Sequence, residues 1–320
     1  MKEKCRIWET EEYEYTRAFG FIPEIFCYIH KDSKKRRAVL VVPGGGYTIV
    51  SPTEAEIVAK KFFEEGYQAF VLIYTTNLLH DMPLMLQPLR DISRAVRILR
   101  KQEDEWRIKE NGVAVCGFSA GAHLCASLAV HYKDIEECRN EYKIYSNRPD
   151  AVVLASPVIS MGEYGHRDSR EALLGKNPSE EMMSYMSVEK HITSCTPPSF
   201  VWQMSEDEVV SVQNSILYVQ GCIEKGVEVV AYRLYTGKGH SLSTADRAWE
   251  QGEFGKFYTL KQMNMVLEAG KRGEVEIGEE ALKISKMVKE WTKPQNHYVY
   301  RDEDVKNWTR DVIKWLQKIL

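Results

Sequence analysis

The feature that most constrains this chain is a glycine–serine–glycine pattern between a predicted strand and a predicted helix. Residues 113 to 117 form a short apolar run of strand character, and residues 122 to 130 continue with helical spacing. Residues 117 to 121 between them read Gly-Phe-Ser-Ala-Gly, a G-x-S-x-G segment. A serine in that setting occupies a strained turn that lifts its hydroxyl above the sheet edge, and a Cβ at either glycine would collide with the neighbouring strand or helix. The pattern predicts that Ser119 is a nucleophile, and the alternative is an ordinary strand–helix turn with an inert serine.

A second glycine-rich segment follows another apolar run. Residues 38 to 42 are continuously apolar, as in a central strand covered on both faces, and residues 43 to 47 read Pro-Gly-Gly-Gly-Tyr. Three successive glycines let the backbone approach a ligand and turn its N–H groups toward one point. Alone, the segment is more simply a flexible loop, and no Gly-Lys-Ser/Thr follows to suggest phosphate binding. Together with a nucleophile turn downstream, it is a candidate oxyanion hole.

The chain alternates predicted strands and helices along most of its length. Residues 53 to 65 and 84 to 100 each have one apolar face, as amphipathic helices do, and residues 68 to 74 form another buried strand. This rhythm predicts an α/β fold with right-handed crossovers and a mostly parallel central sheet with helices on both faces. In such sheets, sites lie beyond the carboxyl ends of the strands. Because both glycine-containing segments fall at such ends, we expect them to meet in one site.

A serine nucleophile needs a base within hydrogen-bond reach and an acid that orients the base. Ser119, Asp207 and His240 each follow a predicted strand, in the chain order serine, acid, histidine. That order and placement bring all three to the same edge of the sheet. Glu206 and Glu208 flank Asp207, and only side-chain direction separates these three carboxylates as the acid.

Other histidines compete with His240 for the role of base. His123 lies one helical turn past the nucleophile and is expected to pack under its turn. His80, His166 and His191 lie in loops near the predicted pocket, where a surface or structural role is the simpler expectation for each. The glycine-flanked position after the last long strand favours His240.

Composition and charge argue against several classes of protein. The formal net charge of -3 is not that of a nucleic-acid-binding surface, which normally has a basic excess. The seven cysteines show no C-x-x-C pair or His-rich spacing, so we expect reduced thiols, and the sequence implies no metal and no cofactor. No apolar run reaches membrane-spanning length, and the first residues turn polar before a signal peptide could form. These features predict a cytoplasmic protein without a membrane or nucleic-acid partner.

The segments described above resemble the α/β-hydrolase superfamily, and specifically its acetyl esterase and acetylxylan-esterase-like branch, related to the hormone-sensitive-lipase group. In that family the acid is the aspartate of a D-x-x-V segment, which selects Asp207 here. The oxyanion hole of the family, carried over onto this chain, consists of Gly45, Gly46 and Ala120. Residues 305 to 320 resemble the closing helix of the family. The other matching segments are Pro43–Tyr47, Ser51–Pro52, Ala114–Gly121, Pro157–Ser160, Thr196–Phe200, Asp207–Val210, Asn214–Ser215 and Gly239–His240.

The resemblance implies a serine carboxylic-ester hydrolase for short acyl esters, acetyl above all, with acetylated sugars or xylo-oligosaccharides as candidate substrates. Tyr47, Tyr74 and Ile159 are predicted walls of the pocket for this small-molecule ester. A small-peptide or amide hydrolase would share the same triad, and a non-catalytic hydrolase-fold binding protein would not need it, so both remain alternatives. A glycosidase would need two carboxylates flanking a sugar, and nothing in the sequence favours such a pair over the serine–histidine mechanism.

Two features depart from the family pattern. The wider group has a histidine before the three glycines, where it supports the loop and does no chemistry, whereas this chain has Pro43. The family passes from its catalytic histidine to the last helix in a short loop, whereas residues 243 to 304 intervene here. We therefore expect a single α/β-hydrolase domain over residues 1 to 320 with an insertion, interpreted as a lid over the pocket or as a contact in a homo-oligomer.

Overall fold

An eight-stranded sheet forms the centre of the molecule in the computed structural model, which describes residues 2–294 and 302–320. The strands in chain order are β1 (Lys2–Arg6), β2 (Glu24–Tyr28), β3 (Arg36–Val42), β4 (Gln68–Ile73), β5 (Ile108–Phe118), β6 (Ala151–Ala155), β7 (Ser199–Glu206) and β8 (Val230–Lys238). Their order across the sheet is β1-β2-β4-β3-β5-β6-β7-β8. Strand β2 pairs antiparallel with β1 and β4, and the strands from β4 to β8 pair in parallel. The parallel part holds all the predicted site residues at its carboxyl edge.

Helices cover both faces of this sheet. The helices in chain order are α1 (Glu56–Glu64), α2 (Gln87–Lys101), α3 (Ser119–His131), α4 (Asn140–Lys143), α5 (Arg167–Leu174), α6 (Glu180–Tyr185), α7 (Gln213–Glu224), α8 (Arg247–Glu250), α9 (Lys261–Lys271), α10 (Glu279–Trp291) and α11 (Trp308–Ile319). Leu40 of β3 belongs to the apolar core that contains α2 and α3, whereas its neighbour Val39 belongs to the core that contains α1 and α11. Successive strand residues thus enter opposite cores, which explains the continuous apolar runs. The predicted α/β-hydrolase architecture is confirmed.

The sequence pattern predicts that the last two parallel strands end at residues 203 and 235, and both strands continue three residues further, to Glu206 and Lys238. The pairing of β7 with β8 continues to Glu206 and Lys238, which are both exposed. Because backbone hydrogen bonds hold the strands together, pairing continues where the side chains are polar and face solvent. Asp207 and His240 therefore follow the strand ends by one and two residues.

The predicted insertion at residues 243–304 consists largely of helices α8, α9 and α10, and its residues 295–301 lie outside the described part. A 3-10 turn at Glu303–Asn307 leads from it into α11. A third, smaller apolar cluster joins α9 and α10 to the loops that follow β3 and β4. This cluster contains the buried residues Ile49, Leu78, Met263, Val266, Ala281 and Val288. None of the helices in the two described ranges has the length and apolar character needed to cross a membrane.

Candidate active site

Ser119 lies at the turn between β5 and α3 with a positive φ of 49°, a strained conformation for a non-glycine residue. An added Cβ at Gly117 would overlap the carbonyl of Gly121, and one at Gly121 would overlap the carbonyl of Val42. Both glycines are therefore required for the strand and the helix to approach so closely. This close approach forces the sharp turn that lifts the serine hydroxyl above the sheet.

A continuous hydrogen-bonded chain links the three residues predicted as nucleophile, base and acid. His240 Nε2 lies 2.8 Å from Ser119 Oγ, and His240 Nδ1 lies 2.8 Å from Asp207 Oδ2. The carboxylate can only accept, so Nδ1 carries the ring proton and Nε2 is left as the acceptor for the serine hydroxyl. The His240 side chain is 16% exposed and that of Asp207 is fully buried. The imidazole can thus meet a substrate while its acid partner is shielded from water.

The carboxylate of Asp207 is fixed by several hydrogen bonds besides that to His240. Its Oδ1 accepts from the N–H groups of Val209 and Val210, each at 3.0 Å, and its Oδ2 accepts from Gln203 Nε2 at 3.1 Å. These bonds hold the carboxylate in one orientation toward the imidazole. The structure thus brings Asp207 to the histidine.

The neighbouring acids Glu206 and Glu208 are both exposed. Glu208 forms an ion pair with Lys238 at 2.6 Å, on the solvent side of β8. The direction of the side chains therefore separates these two carboxylates from Asp207, which the bare sequence pattern could not do.

The loop after β3 brings the glycine-rich segment against the nucleophile turn. A Cβ added to Gly44 would lie 3.0 Å from the Cβ of Ser119, so the loop backbone touches the serine. Gly45 and Gly46 follow with positive φ values of 113° and 64°. Their N–H groups donate no hydrogen bond to any residue in the described ranges. Ala120 is the second residue of α3, so its N–H also has no partner in a preceding helical turn.

Tyr47 and Tyr74 support this loop from within the core and have no exposed surface. The hydroxyl of Tyr74 donates to the carbonyl of Pro43 at 2.8 Å. The hydroxyl of Tyr47 lies 2.7 Å from Nδ1 of His123, whose Nε2 donates to a backbone carbonyl. Burial lowers the pKa of His123 to about 4, so its neutral ring accepts from Tyr47. As predicted, His123 packs under the turn, and the tyrosines hold a loop that lacks the supporting histidine of the wider group.

The three residues predicted as pocket walls are therefore not brought to an open pocket. Tyr47, Tyr74 and Ile159 are fully buried. The N–H of Ile159 donates to the side-chain oxygen of Asn214 at 2.9 Å, which fixes the loop after β6. Aromatic and branched residues at strand ends have the same sequence pattern whether they face a pocket or the core, so sequence alone could not separate these positions.

Polar side chains, among them two histidines for which the sequence favoured a surface or structural role, lie beside the glycine-rich loop. The hydroxyl of Ser169 lies 3.8 Å from the position of a Cβ on Gly46 and 2.8 Å from Nδ1 of His166. Thr48 Oγ1 lies 2.7 Å from Nε2 of His80. Burial lowers the pKa of His80 and of His166, which keeps both rings neutral at pH 7.

The charges of His240 and Asp207 also influence His166, whereas His191 packs elsewhere, against His131 and Tyr185. The signal that distinguishes His166 is its position at the start of α5, one turn before a buried serine. In the part of the chain that the structure describes, no cluster of three or more His, Cys, Asp or Glu side chains could hold a metal ion.

Comparison with known proteins places this chain in a family. The BD-FAE family model matches residues 26–220. Endo-1,4-beta-xylanase B of Butyrivibrio fibrisolvens is 44% identical over 256 residues, which is 80% of this chain and 40% of that protein. The acetylxylan esterase of Xylanibacter ruminicola is 29% identical over 211 residues, which is 64% of this chain and 41% of that protein. The chain thus spans about two fifths of the length of these curated relatives.

A solved structure also resembles this chain, over nearly the whole length of that structure. The acetyl ester-xyloside bifunctional hydrolase from Caldicellulosiruptor lactoaceticus superposes with a TM-score of 0.72 at 30% identity, covering 85% of this chain and 97% of that one. The predicted resemblance to acetyl esterases and acetylxylan esterases is confirmed. The chain belongs to the BD-FAE family and has the α/β-hydrolase fold.

Proposed function

We propose that this protein is a serine carboxylic-ester hydrolase in which Ser119, His240 and Asp207 form the catalytic triad. The observation that carries the proposal is the hydrogen-bonded chain from Asp207 through His240 to Ser119, with 2.8 Å at each step. The strained serine turn and the unused N–H groups of the adjacent glycine-rich loop support it. The oriented base and the oxyanion donors supply what a serine hydroxyl needs to attack a carbonyl.

In the proposed reaction, Ser119 Oγ attacks the ester carbonyl while His240 Nε2 takes the hydroxyl proton. The N–H groups of Gly45, Gly46 and Ala120 stabilise the negative oxygen of the tetrahedral intermediate, at about 3–4 kcal/mol per donor. His240 then passes its proton to the leaving alcohol, and an acyl-enzyme remains. Water, activated by the same imidazole, releases the acid and restores the serine. Throughout, Asp207 orients the ring and stabilises its charged form.

We further propose that the substrate is a short acyl ester, acetyl above all, of a sugar or xylo-oligosaccharide. The named activities of the relatives and of the solved structure support the acetyl and xylan parts of this proposal. The polar groups of Thr48, His80, His166 and Ser169 beside the glycine-rich loop support a leaving group rich in hydroxyls. Neutral imidazoles and hydroxyls both donate and accept, which suits sugar hydroxyls better than an apolar acyl chain.

The proposal is tested with p-nitrophenyl acetate, butyrate and octanoate, and with acetylated xylose. We expect turnover to fall from acetate to octanoate, and Ser119→Ala to lower kcat by at least about 10⁴-fold, because the nucleophile is lost. Ser146→Ala, at an exposed serine, serves as the matched control and should behave as wild type. Turnover that survives Ser119→Ala would refute the assignment of the nucleophile. No turnover of any ester would favour an amide substrate or a binding role.

A further inference from the structure

A buried acid outside the triad lies directly behind the nucleophile. Glu54 belongs to a 3-10 turn at Pro52–Glu54, and only 4% of its surface is exposed. Within the described residues it forms no ion pair with a lysine or arginine. Burying a carboxyl group without a countercharge costs folding free energy. We therefore expect such a side chain to have a role other than stabilising the fold.

The contacts of Glu54 connect two loops of the active site. Its Oε2 accepts from the N–H of Gly44 at 2.7 Å, in the loop after β3. The hydroxyl of Ser241, in the loop after β8, lowers the pKa of this carboxyl group and so lies close to it. Ser241 Oγ lies 3.3 Å from His240 Nε2, the atom that faces the nucleophile. A single side chain thus holds the backbone that precedes the oxyanion donors and lies near a hydroxyl that touches the base.

The charge of Glu54 acts on the same base. Burial raises the pKa of Glu54 to about 7, although the N–H of Gly44, the charge of His240 and the hydroxyl of Ser241 all favour its ionised form. The titratable groups that face it among the described residues are His240 and Tyr74. Burial keeps the pKa of Tyr74 well above its ordinary value, so Tyr74 stays neutral. The interaction that changes with protonation is therefore the one between Glu54 and His240.

We propose that Glu54 is a positioning residue that fixes the glycine-rich loop beside the histidine loop and stabilises the imidazolium that His240 becomes during attack. The proposal rests on the esterase function proposed above and adds no bond-forming step, since the serine proton still goes to His240 Nε2. The carboxylate holds Gly44, and through it the donors at Gly45 and Gly46, at a fixed distance from the base. Its negative charge stabilises a positive ring more strongly than a neutral one.

The test compares Glu54→Gln with wild type across pH, using p-nitrophenyl acetate. Glutamine keeps the shape and can still accept from Gly44, but it carries no charge. We expect wild type and variant to have similar kcat/KM below pH 6, where Glu54 is protonated, and the wild type to be about tenfold faster by pH 8.5. The loss should lie in kcat with KM nearly unchanged, because the imidazolium exists only during reaction.

A second variant and a control keep the result interpretable. Glu54→Leu also removes the link to Gly44 and should lower kcat more than Glu54→Gln at every pH. Glu56→Gln is the matched control, because Glu56 is a second buried acid two residues on, where it pairs with Lys60 away from the triad. It should leave kcat and its pH profile unchanged, and melting temperatures are measured for all three variants.

Three outcomes would overturn the inference in distinguishable ways. If wild-type turnover depends on Ser119 but Glu54→Gln matches wild type at every pH, the role of Glu54 is wrong and the proposed function stands. A loss of activity in Glu54→Gln that is independent of pH and accompanied by a lower melting temperature would show that Glu54 has only a structural role. If the wild type itself shows no Ser119-dependent turnover, the proposed function fails and the inference fails with it.

Discussion

At the scale of single residues, the active site keeps groups in conformations that the fold alone would not favour. Ser119 has a positive φ, and Glu54 is an acid buried without a countercharge. Both are costs to stability, and Gly44 lies against both side chains, since a Cβ there would be 3.0 Å from Ser119 Cβ and 3.1 Å from Glu54 Oε2. Such costs persist where the chemistry needs them and the surrounding structure enforces them.

The cost of Glu54 should be visible in the stability of the protein as a function of pH. Its pKa is about 7 in the folded protein, against the ordinary 4.5. Between those values the unfolded chain has lost a proton that the folded protein still holds. The contribution of Glu54 to the free energy of unfolding therefore decreases as pH rises from about 4.5 to about 7, by up to about 3 kcal/mol, and is constant above that.

We therefore predict that wild type loses up to about 3 kcal/mol more stability than Glu54→Gln between pH 5 and pH 8. Urea unfolding of both proteins at the two pH values measures this difference. Glu105→Gln, at an exposed acid, should follow wild type. Parallel pH dependence of wild type and Glu54→Gln would mean that Glu54 ionises normally in the folded protein. A less active yet more stable variant at pH 8 would identify Glu54 as a residue kept for function.

At the scale of structural elements, a sequence pattern predicts the structure when only one physical arrangement explains that pattern. The G-x-S-x-G turn is such a pattern, because added Cβ atoms at Gly117 and Gly121 would overlap backbone. The aromatic residues Tyr47 and Tyr74 follow strands. An aromatic side chain at such a position suits a pocket wall and a buried core equally well, so the sequence does not distinguish the two. Glu54 escaped notice because an acid at a helix start ordinarily interacts with solvent and the helix dipole. Its burial depends on the histidine loop, almost two hundred residues away, which no local pattern reveals.

Helix α9 of the predicted insertion makes a polar contact with the body of the molecule that no sequence pattern indicates. Gln262 is buried, its Oε1 accepts from the N–H of Thr76 at 2.9 Å, and its Nε2 donates to the carbonyl of Thr76. The next residue, Asn77, donates its N–H to the carbonyl of Tyr47 at 2.8 Å. One glutamine thus connects the insertion, through the loop after β4, to the residue that follows the three glycines.

Replacement of Gln262 by leucine should therefore destabilise the protein by about 2–4 kcal/mol, because the buried N–H and carbonyl of Thr76 lose their partners. Gln220→Leu is the control, since Gln220 is exposed and its side chain bonds only Glu224 among the described residues, and its cost should stay below about 0.5 kcal/mol. Denaturant unfolding measures both. A Gln262 variant as stable as the control variant would show that α9 does not hold the loop in solution.

At the scale of the whole molecule, the lid and fixed-wall interpretations of the predicted insertion at residues 243–304 make different demands on its contacts. The lid interpretation requires part of it to open and close over the site, as catalytic-loop insertions do in other enzymes. The contacts of α9 favour a fixed wall for that helix, because Met263 and Val266 share a buried cluster with Ile49. Ile49 itself touches Gly45, so the wall reaches the glycine-rich loop. If the predicted insertion gates the site, the segments that move are therefore others than α9.

Amide hydrogen exchange distinguishes a fixed α9 from a moving one. We predict that the amides of α9 (Lys261–Lys271) exchange as slowly as those of α1 (Glu56–Glu64), because opening α9 would expose the Gln262–Thr76 bonds and an apolar face together. Exchange of α9 that is faster by orders of magnitude than that of α1 would instead show that it opens independently and would support a lid. Deletion of residues 246–302 completes the comparison. A fixed wall predicts loss of stability and of activity together, whereas a lid predicts a folded enzyme with altered acyl-chain preference.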